Sequence, residues 1–327
     1  MIYAGDERRQ TLSGVCNLSP TDFEMTSLDV LSFLHQRIGF GLWMVTRVQG
    51  DDWIILEARD FDFDVLPGMV FHWGDSLCMA MIQGRAPRIA PQVSEHKALA
   101  EVKLTRDLLI QAYIGVPLQL SNGTLFGTLC AFDREPQAQT IVKELKMVEL
   151  FAAMLVKLAE GELAGLGKAR QQERAMVSDS DDALTGLVGR FGWERLCQLE
   201  ENRCRRYGSP AAVVSVNLDG LKLINAEMGQ PAGDRHLKRA ADSIRSACRS
   251  DDIVARTGGD QFGILLIDCS ESEVNSAVSR ISEALHHAQI PASIGSARRD
   301  PSLGLEMAIA NADATMVVRK TLRRQAA

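Results

Sequence analysis

The chain has no C-x-x-C pair, no apolar run near the roughly 18 residues that a bilayer span needs, and no excess of basic charge. Each absence removes a class. Its seven cysteines, at 16, 78, 130, 197, 204, 248 and 269, are scattered, which argues against structural zinc or a disulfide framework and for small core residues in a reducing cytosol. A net charge of -6 argues against a general nucleic-acid or acidic-membrane surface, and leaves room for a local basic pocket that takes a phosphorylated small molecule. The first ten residues carry Asp6, Glu7, Arg8 and Arg9 rather than an apolar leader. The expectation is a soluble, cytoplasmic protein with neither a nucleic-acid nor a membrane partner.

What is present fits two globular domains: 327 residues, 46% of them hydrophobic. From about Leu28 to Asp133, strand-like runs occupy 41–48, 53–58, 112–118 and 125–130. Turn signals at Gln49-Gly50-Asp51-Asp52 and Ser121-Asn122-Gly123-Thr124 join them in pairs, so an antiparallel sheet with helices is expected. Through Tyr113-Ile114-Gly115-Val116-Pro117-Leu118, the Asn122-Gly123 turn and Gly127-Thr128-Leu129-Cys130-Ala131-Phe132-Asp133, residues 22–160 resemble a GAF domain. That resemblance implies a sensory or dimerising module with a small-ligand pocket on one face of the sheet; the ligand itself is not legible. Trp43, His72, Trp73 and Cys78 are candidate ligand contacts, against the plainer reading of a structural histidine among aromatics and a buried thiol.

Ile141, Leu145, Val148, Ala152, Leu155, Ala159, Leu163 and Leu166 recur at spacings of four and three, predicting a long amphipathic helix over about 140–175. Gly161, Gly165 and Gly167 weaken it, each costing roughly 1 kcal/mol relative to Ala in a helix interior, and mark a place for a bend. Residues 161–180 are read as a helical linker, closed by the polar boundary Val177-Ser178-Asp179-Ser180-Asp181-Asp182.

Beyond it the pattern predicts helix 190–206, strand 211–218, helix 231–249, a hairpin across 253–267, helix 273–288, strand 290–297 and helix 303–320. Two apolar strands flank the tip Thr257-Gly258-Gly259-Asp260-Gln261, which holds a carboxylate where it could meet a metal. Asp182-Ala183-Leu184-Thr185-Gly186-Leu187, Asn217-Leu218-Asp219-Gly220-Leu221-Lys222-Leu223-Ile224-Asn225, Gly233-Asp234, Arg256-Thr257-Gly258-Gly259-Asp260-Gln261-Phe262, Ser293-Ile294-Gly295 and Ala312-Asp313 occur in the order found in the GGDEF, or diguanylate cyclase, family, which residues 181–327 resemble. The fold expected is α+β in two domains, a GAF-type antiparallel sheet with helices and a nucleotide-cyclase-like sheet with helices, joined by a long helix.

The resemblance implies synthesis of cyclic di-GMP from two GTP molecules, one per subunit of a homodimer, with Mg2+ held by an aspartate at the end of the first strand, by the third residue of the hairpin tip and by a strand-end backbone carbonyl. Here those positions are Asn217, Asp260 and Leu218. A carboxylate supplies charge where an amide supplies only a dipole. Loss of one unit charge about 4 Å from a divalent ion forfeits on the order of several kcal/mol at an effective dielectric near 20. At roughly 1.4 kcal/mol per tenfold in rate, turnover falls by orders of magnitude. Gln261 replaces a second acid, the one that active members carry at the fourth tip position. Strand alternation puts Asp219 on the face of Asn217, where it could lend the missing carboxylate.

By the same resemblance Asn225 and Asp234 meet the guanine edge, Lys222 lies among the substrate-binding residues, and Lys320 and Arg324 touch phosphates, although Val317-Val318-Arg319 replaces the customary Tyr-x-Ala before that lysine. Arg249-Ser250-Asp251-Asp252, five residues ahead of Gly258, matches the family's inhibitory product site, and Arg280 matches an arginine that some members add to it. Three functions stay open on the sequence: a degenerate domain that binds cyclic di-GMP and makes little of it, an active cyclase using Asp260 and Asp219, and a GTP-binding or dimerisation scaffold.

Overall fold

The computed structural model describes residues 21–326, the side chains of 324–326 excepted. Arg324 as a phosphate contact, Cys16 and the charged first ten residues therefore lie outside the described residues. The chain divides into two compact units, one ending at Glu162 and the other running from Leu163, with Gly68–Val70 grouped with the second.

In the first unit, α1 (Asp22–Ile38) is followed by β1 (Leu42–Gln49), β2 (Asp52–Asp60), β3 (Val70–His72), α2 (Leu77–Ile82), β4 (Ile89–Ala90), α3 (Lys97–Ala100), α4 (Lys103–Asp107), β5 (Ala112–Gln119) and β6 (Leu125–Asp133); α5 (Leu145–Met176) begins in it and ends in the second. Thr21 caps α1 by accepting from the Glu24 N–H, and the helix turns Val30, Leu31 and Leu34 inward. The six strands form one sheet, ordered β3-β2-β1-β6-β5-β4, in which β1 runs antiparallel to β2 and β6, and β5 antiparallel to β4 and β6. Trp43, Trp53, Tyr113, Phe126 and Phe132 are fully buried in it. Cys78 receives the Tyr113 and Thr128 hydroxyls, each at 3.5 Å, inside that core. His72 is exposed and 3.9 Å from Asp75, so it does not join Trp43 and Cys78 in an interior cluster.

Helix α5 is continuous for 32 residues and buries Val148, Ala152, Leu155, Val156 and Ala159. The three glycines expected to interrupt it sit where an added Cβ would meet nothing within 4 Å, so they cost helix propensity without any packing conflict.

The second unit comprises α6 (Arg190–Tyr207), β7 (Ala211–Leu218), α7 (Leu221–Met228), α8 (Gln230–Ala247), β8 (Ile253–Arg256), β9 (Gln261–Ile267), α9 (Glu271–His287), β10 (Ala292–Arg298) and α10 (Gly304–Ala326). Its sheet is ordered β10-β7-β9-β8 and is antiparallel throughout. Strand β7, Ala-Ala-Val-Val-Ser-Val-Asn-Leu, is buried along its whole length because helices cover both faces. Ala212, Val214, Val216 and Leu218 pack with Leu237 and Ile244 of α8 and Ile281 and Leu285 of α9. Ala211 and Val213 pack with Trp193 and Leu196 of α6 and Ala308 and Ala312 of α10. Period-two alternation therefore assigns Asn217 to the α6/α10 face.

Two local devices fix the edges of these elements. Ser270 and Glu273 form a reciprocal capping box at the start of α9, and Gly208, at φ 64°, ends α6 in the left-handed conformation. No helix among the described residues is long and apolar enough to cross a membrane.

Candidate nucleotide site

The hairpin β8–β9 holds its tip by backbone and side-chain bonds. Thr257 and Gly258 donate their N–H groups to the Gln261 carbonyl at 3.0 and 3.4 Å. Arg256 folds back over the tip, donating to the Gly259 carbonyl from Nε at 3.2 Å and Nη2 at 2.8 Å. Its Nη1 meets both oxygens of Asp182 at 3.2 and 3.1 Å. Burial acts to raise the Asp182 pKa, but hydrogen bonds from Thr185 and the Arg256 guanidinium outweigh it and hold the carboxyl below its ordinary range.

The tip is joined to the end of β7 by the Leu218 N–H, which donates to the Asp260 carbonyl at 2.9 Å. Register sets Asn217 opposite Gln261 on β9 and Ser293 on β10. Asn217 is 4% exposed, whereas Gln261 faces solvent and borders a cavity of about 300 Å³ that Trp193, Ser215, Asp313 and Met316 also line.

Helix α10 closes the site with cations. Lys320 Nζ donates to Asn217 Oδ1 and lies 3.9 Å from Asp260 Oδ2. One turn on, Arg323 Nη1 lies 3.6 Å from Asp219 Oδ2, which also takes the Ser293 hydroxyl at 3.3 Å. Arg319 and Arg323 donate to the Ile294 and Ala292 carbonyls of β10, fastening the helix to the strand beside the site. Asp219 meets Ser293, the β10 partner of Asn217, and Arg323 of the helix that carries Lys320, so it lies on the side of the sheet that alternation assigns to Asn217. The strand ends at Leu218, the Asp219 N–H turns to the Pro291 carbonyl, and its carboxylate belongs to Ser293 and Arg323.

Magnesium prefers six hard oxygen ligands with negative charge among them. Here one neighbour is an amide whose oxygen accepts a hydrogen bond from a lysine, and among the described residues no three His, Cys, Asp or Glu side chains are grouped to hold a metal. The residues present do not fit the ion.

Asn225 lies against Gly233, the chain neighbour of Asp234, because Gly233 has no side chain. A Cβ there would lie 1.9 Å from Asn225 Oδ1, so the amide rests on α8 one residue from Asp234. Asn225 and Lys222 are exposed on α7, an eight-residue helix bracketed by Gly220 and Gly229, both with φ near 80°.

Arg249 and Asp252 meet through the backbone: the Arg249 N–H donates to Asp252 Oδ2 at 2.9 Å. Asp252 is 4% exposed, and burial pushes its carboxyl above the ordinary value. The Arg249 guanidinium instead pairs with Glu273 at 2.7 Å, with both side chains exposed. Hydrogen bonds from the Ser270 backbone and then from Arg249 bring the Glu273 carboxyl down to about 2. Arg280 Nε donates to the Ala247 carbonyl at 3.0 Å, and its charge bears on Asp252.

Sequence reasoning missed Arg323, Glu273 and the parts played by Ser293, Asp182 and Arg256. A basic residue three positions after Lys320 on the same helix was the one legible trace of this arrangement.

The family described as "Diguanylate cyclase, GGDEF domain" matches residues 180–324. Residues 180–324 form a GGDEF domain. The GGDEF domain and its flanks are similar to the diguanylate cyclase DgcP of Escherichia coli, 27% identical over 55% of this chain and 52% of that protein. They are also similar to the probable diguanylate cyclase DgcE of Escherichia coli, 36% identical over 33% of this chain and 10% of that one. The diguanylate cyclase SiaD, solved with its activator SiaC from Pseudomonas aeruginosa, is 22% identical, with a TM-score of 0.43 over 56% of this chain and 76% of that one. The match to DgcP spans about half that protein's length, and the match to DgcE far less.

Proposed function

We propose that this is a cytoplasmic, homodimeric cyclic di-GMP signalling protein whose GGDEF domain binds cyclic di-GMP and makes little or none of it, under the control of a GAF-type sensor over residues 22–160. The observation that carries the reading is the strand-end position itself: Asn217 stands where a carboxylate would be needed, and its amide oxygen is engaged by Lys320.

The product-site residues support the binding half of the proposal. The Arg249 guanidinium is held by an exposed ion pair with Glu273, which a phosphodiester can replace. Its guanidinium then offers a planar fork to phosphate or to a guanine edge, while Arg280 adds charge from α9. Asp252, held by the loop backbone, shapes the turn that presents Arg249. For the first unit, the six-stranded sheet, antiparallel from β2 through β4 in its strand order, and its helices support the sensor reading.

Calorimetric titration of cyclic di-GMP into the full chain and into Arg249→Ala tests this. Binding by the wild type, weakened about tenfold or more in the variant, is expected for the loss of a charge-assisted contact. A wild type that binds none excludes the receptor. A GTP-binding scaffold is the second reading, favoured by the Asn225 amide resting on Gly233, the chain neighbour of Asp234; GTP affinity lost in Asp234→Ala, without affinity for cyclic di-GMP, identifies it.

A further inference from the structure

We infer that the ammonium of Lys320 is a resident cation that stands in the place of a divalent metal at the end of β7 and keeps metals out. This inference rests on the degenerate reading of the same site.

The argument starts from charge. Two carboxylates border the strand end, Asp260 on the tip and Asp219 beyond Leu218, and each has its own cation on one face of α10. Lys320 lies 3.9 Å from Asp260, and Arg323 lies 3.6 Å from Asp219. Two negative charges set against two positive ones leave no net charge to draw a dication. Geometry completes the case. The Lys320 side chain is 20% exposed and donates to Asn217 Oδ1, within a residue 4% exposed, so the ammonium has a seat on an amide oxygen as well as a carboxylate neighbour.

An amide suits that seat. It accepts a lysine hydrogen bond while adding no charge that a metal could exploit. The ammonium offers three donors and no acceptor, so it reverses the polarity that a metal ligand would need at this point. Arg319 and Arg323 fix α10 to the carbonyls of β10, which sets the position from which Lys320 reaches the gap. The spacing Lys320–Arg323 puts both cations on one side of the helix.

Mn2+ takes the same hard oxygen ligands as Mg2+ and is visible by electron paramagnetic resonance. The full chain, mixed with equimolar Mn2+ and no nucleotide, should leave the free-ion signal unchanged. Asn217→Asp combined with Lys320→Gln should gain a site, with affinity higher by at least about tenfold. Lys320→Gln alone, a change on a partly exposed helix position, should gain a weaker one. Stoichiometric Mn2+ binding by the wild type that is lost in Asp260→Asn overturns the inference, whatever the fate of the double variant. Folded variants lacking Lys320, with unchanged circular dichroism, that still bind no Mn2+ overturn it as well. Metal binding by a wild type that synthesises nothing contradicts this inference and leaves the proposed function standing. A wild type that binds neither metal nor cyclic di-GMP does the reverse.

Discussion

Arg256 grips Asp182 with Nη1 3.2 and 3.1 Å from the two carboxylate oxygens, and with the rest of the same guanidinium it holds the Gly259 carbonyl of the hairpin tip. A segment 74 residues away in sequence thereby sets the position of Asp260. The pair is mostly shielded from water, with side chains 15% and 22% exposed, so it is worth more than a surface ion pair.

Arg256→Ala should destabilise the GGDEF domain by about 1–3 kcal/mol, read from urea denaturation, since it leaves the Asp182 carboxylate and the Gly259 carbonyl short of a donor. Because the folded Asp182 pKa lies below its ordinary 3.8, the stabilisation is complete above that value and is lost as pH falls through the lowered one. The stability gap between wild type and Asp182→Asn should therefore close in strong acid. A gap that widens there contradicts the assignment.

Glu200, 1% exposed, joins the end of α5 to α6 by accepting from Arg170 at 2.6 Å and Arg203 at 2.9 Å. Glu200→Gln removes the buried carboxylate that both guanidinium groups share, leaving Arg170 with Asp268 and Arg203 with Glu173. A loss of about 1–3 kcal/mol is expected in equilibrium unfolding. No measurable loss means that Asp268 and Glu173 suffice to hold the two arginines.

Gly295 lets α10 lie directly on β10. A Cβ there would sit 2.1 Å from the Ala312 carbonyl oxygen and 2.4 Å from the Met316 nitrogen. Gly295→Ala should cost about 1–3 kcal/mol through forced backbone displacement, and should loosen the helix that carries Lys320. Thermal melting checks the first effect, and amide exchange in α10 checks the second.

Restoring both acids, Asn217→Asp with Gln261→Glu, should yield cyclic di-GMP synthesis from GTP and Mg2+ where the wild type yields little. Chromatography of the nucleotides reads the outcome. Silence from this variant places the defect elsewhere, at Lys320, Thr257, Gly189 or the altered sequence Val317-Val318-Arg319.

Strands and hairpins of the second unit were legible to within a few residues because their signals are local. Strand β7 is an apolar run, Gly258-Gly259 marks the tip, and the Ser270–Glu273 box opens α9. Helix α7 was not, since its eight residues give the 3.6-residue period little room to declare itself between Gly220 and Gly229. The small strands β3 and β4 depend on sheet pairing rather than on their own composition.

Motif order located the hairpin acid and the strand-end amide, but side-chain partners over long separations were beyond it. Lys320 and Asn217 are 103 positions apart. The motif names Arg249 and Asp252 together; in the fold the loop backbone claims Asp252, and the first turn of α9 offers Glu273 to the guanidinium. Alternation carried past Leu218 puts Asp219 on the face of Asn217, but not the partners that it meets there, Ser293 and Arg323, which are distant in sequence.

The most direct test is GTP turnover by the purified full chain with Mg2+, followed by chromatography of the nucleotides. An uncharged Asn217, occupied by Lys320, predicts that GTP persists with at most a trace of cyclic di-GMP. Brisk conversion to cyclic di-GMP contradicts it.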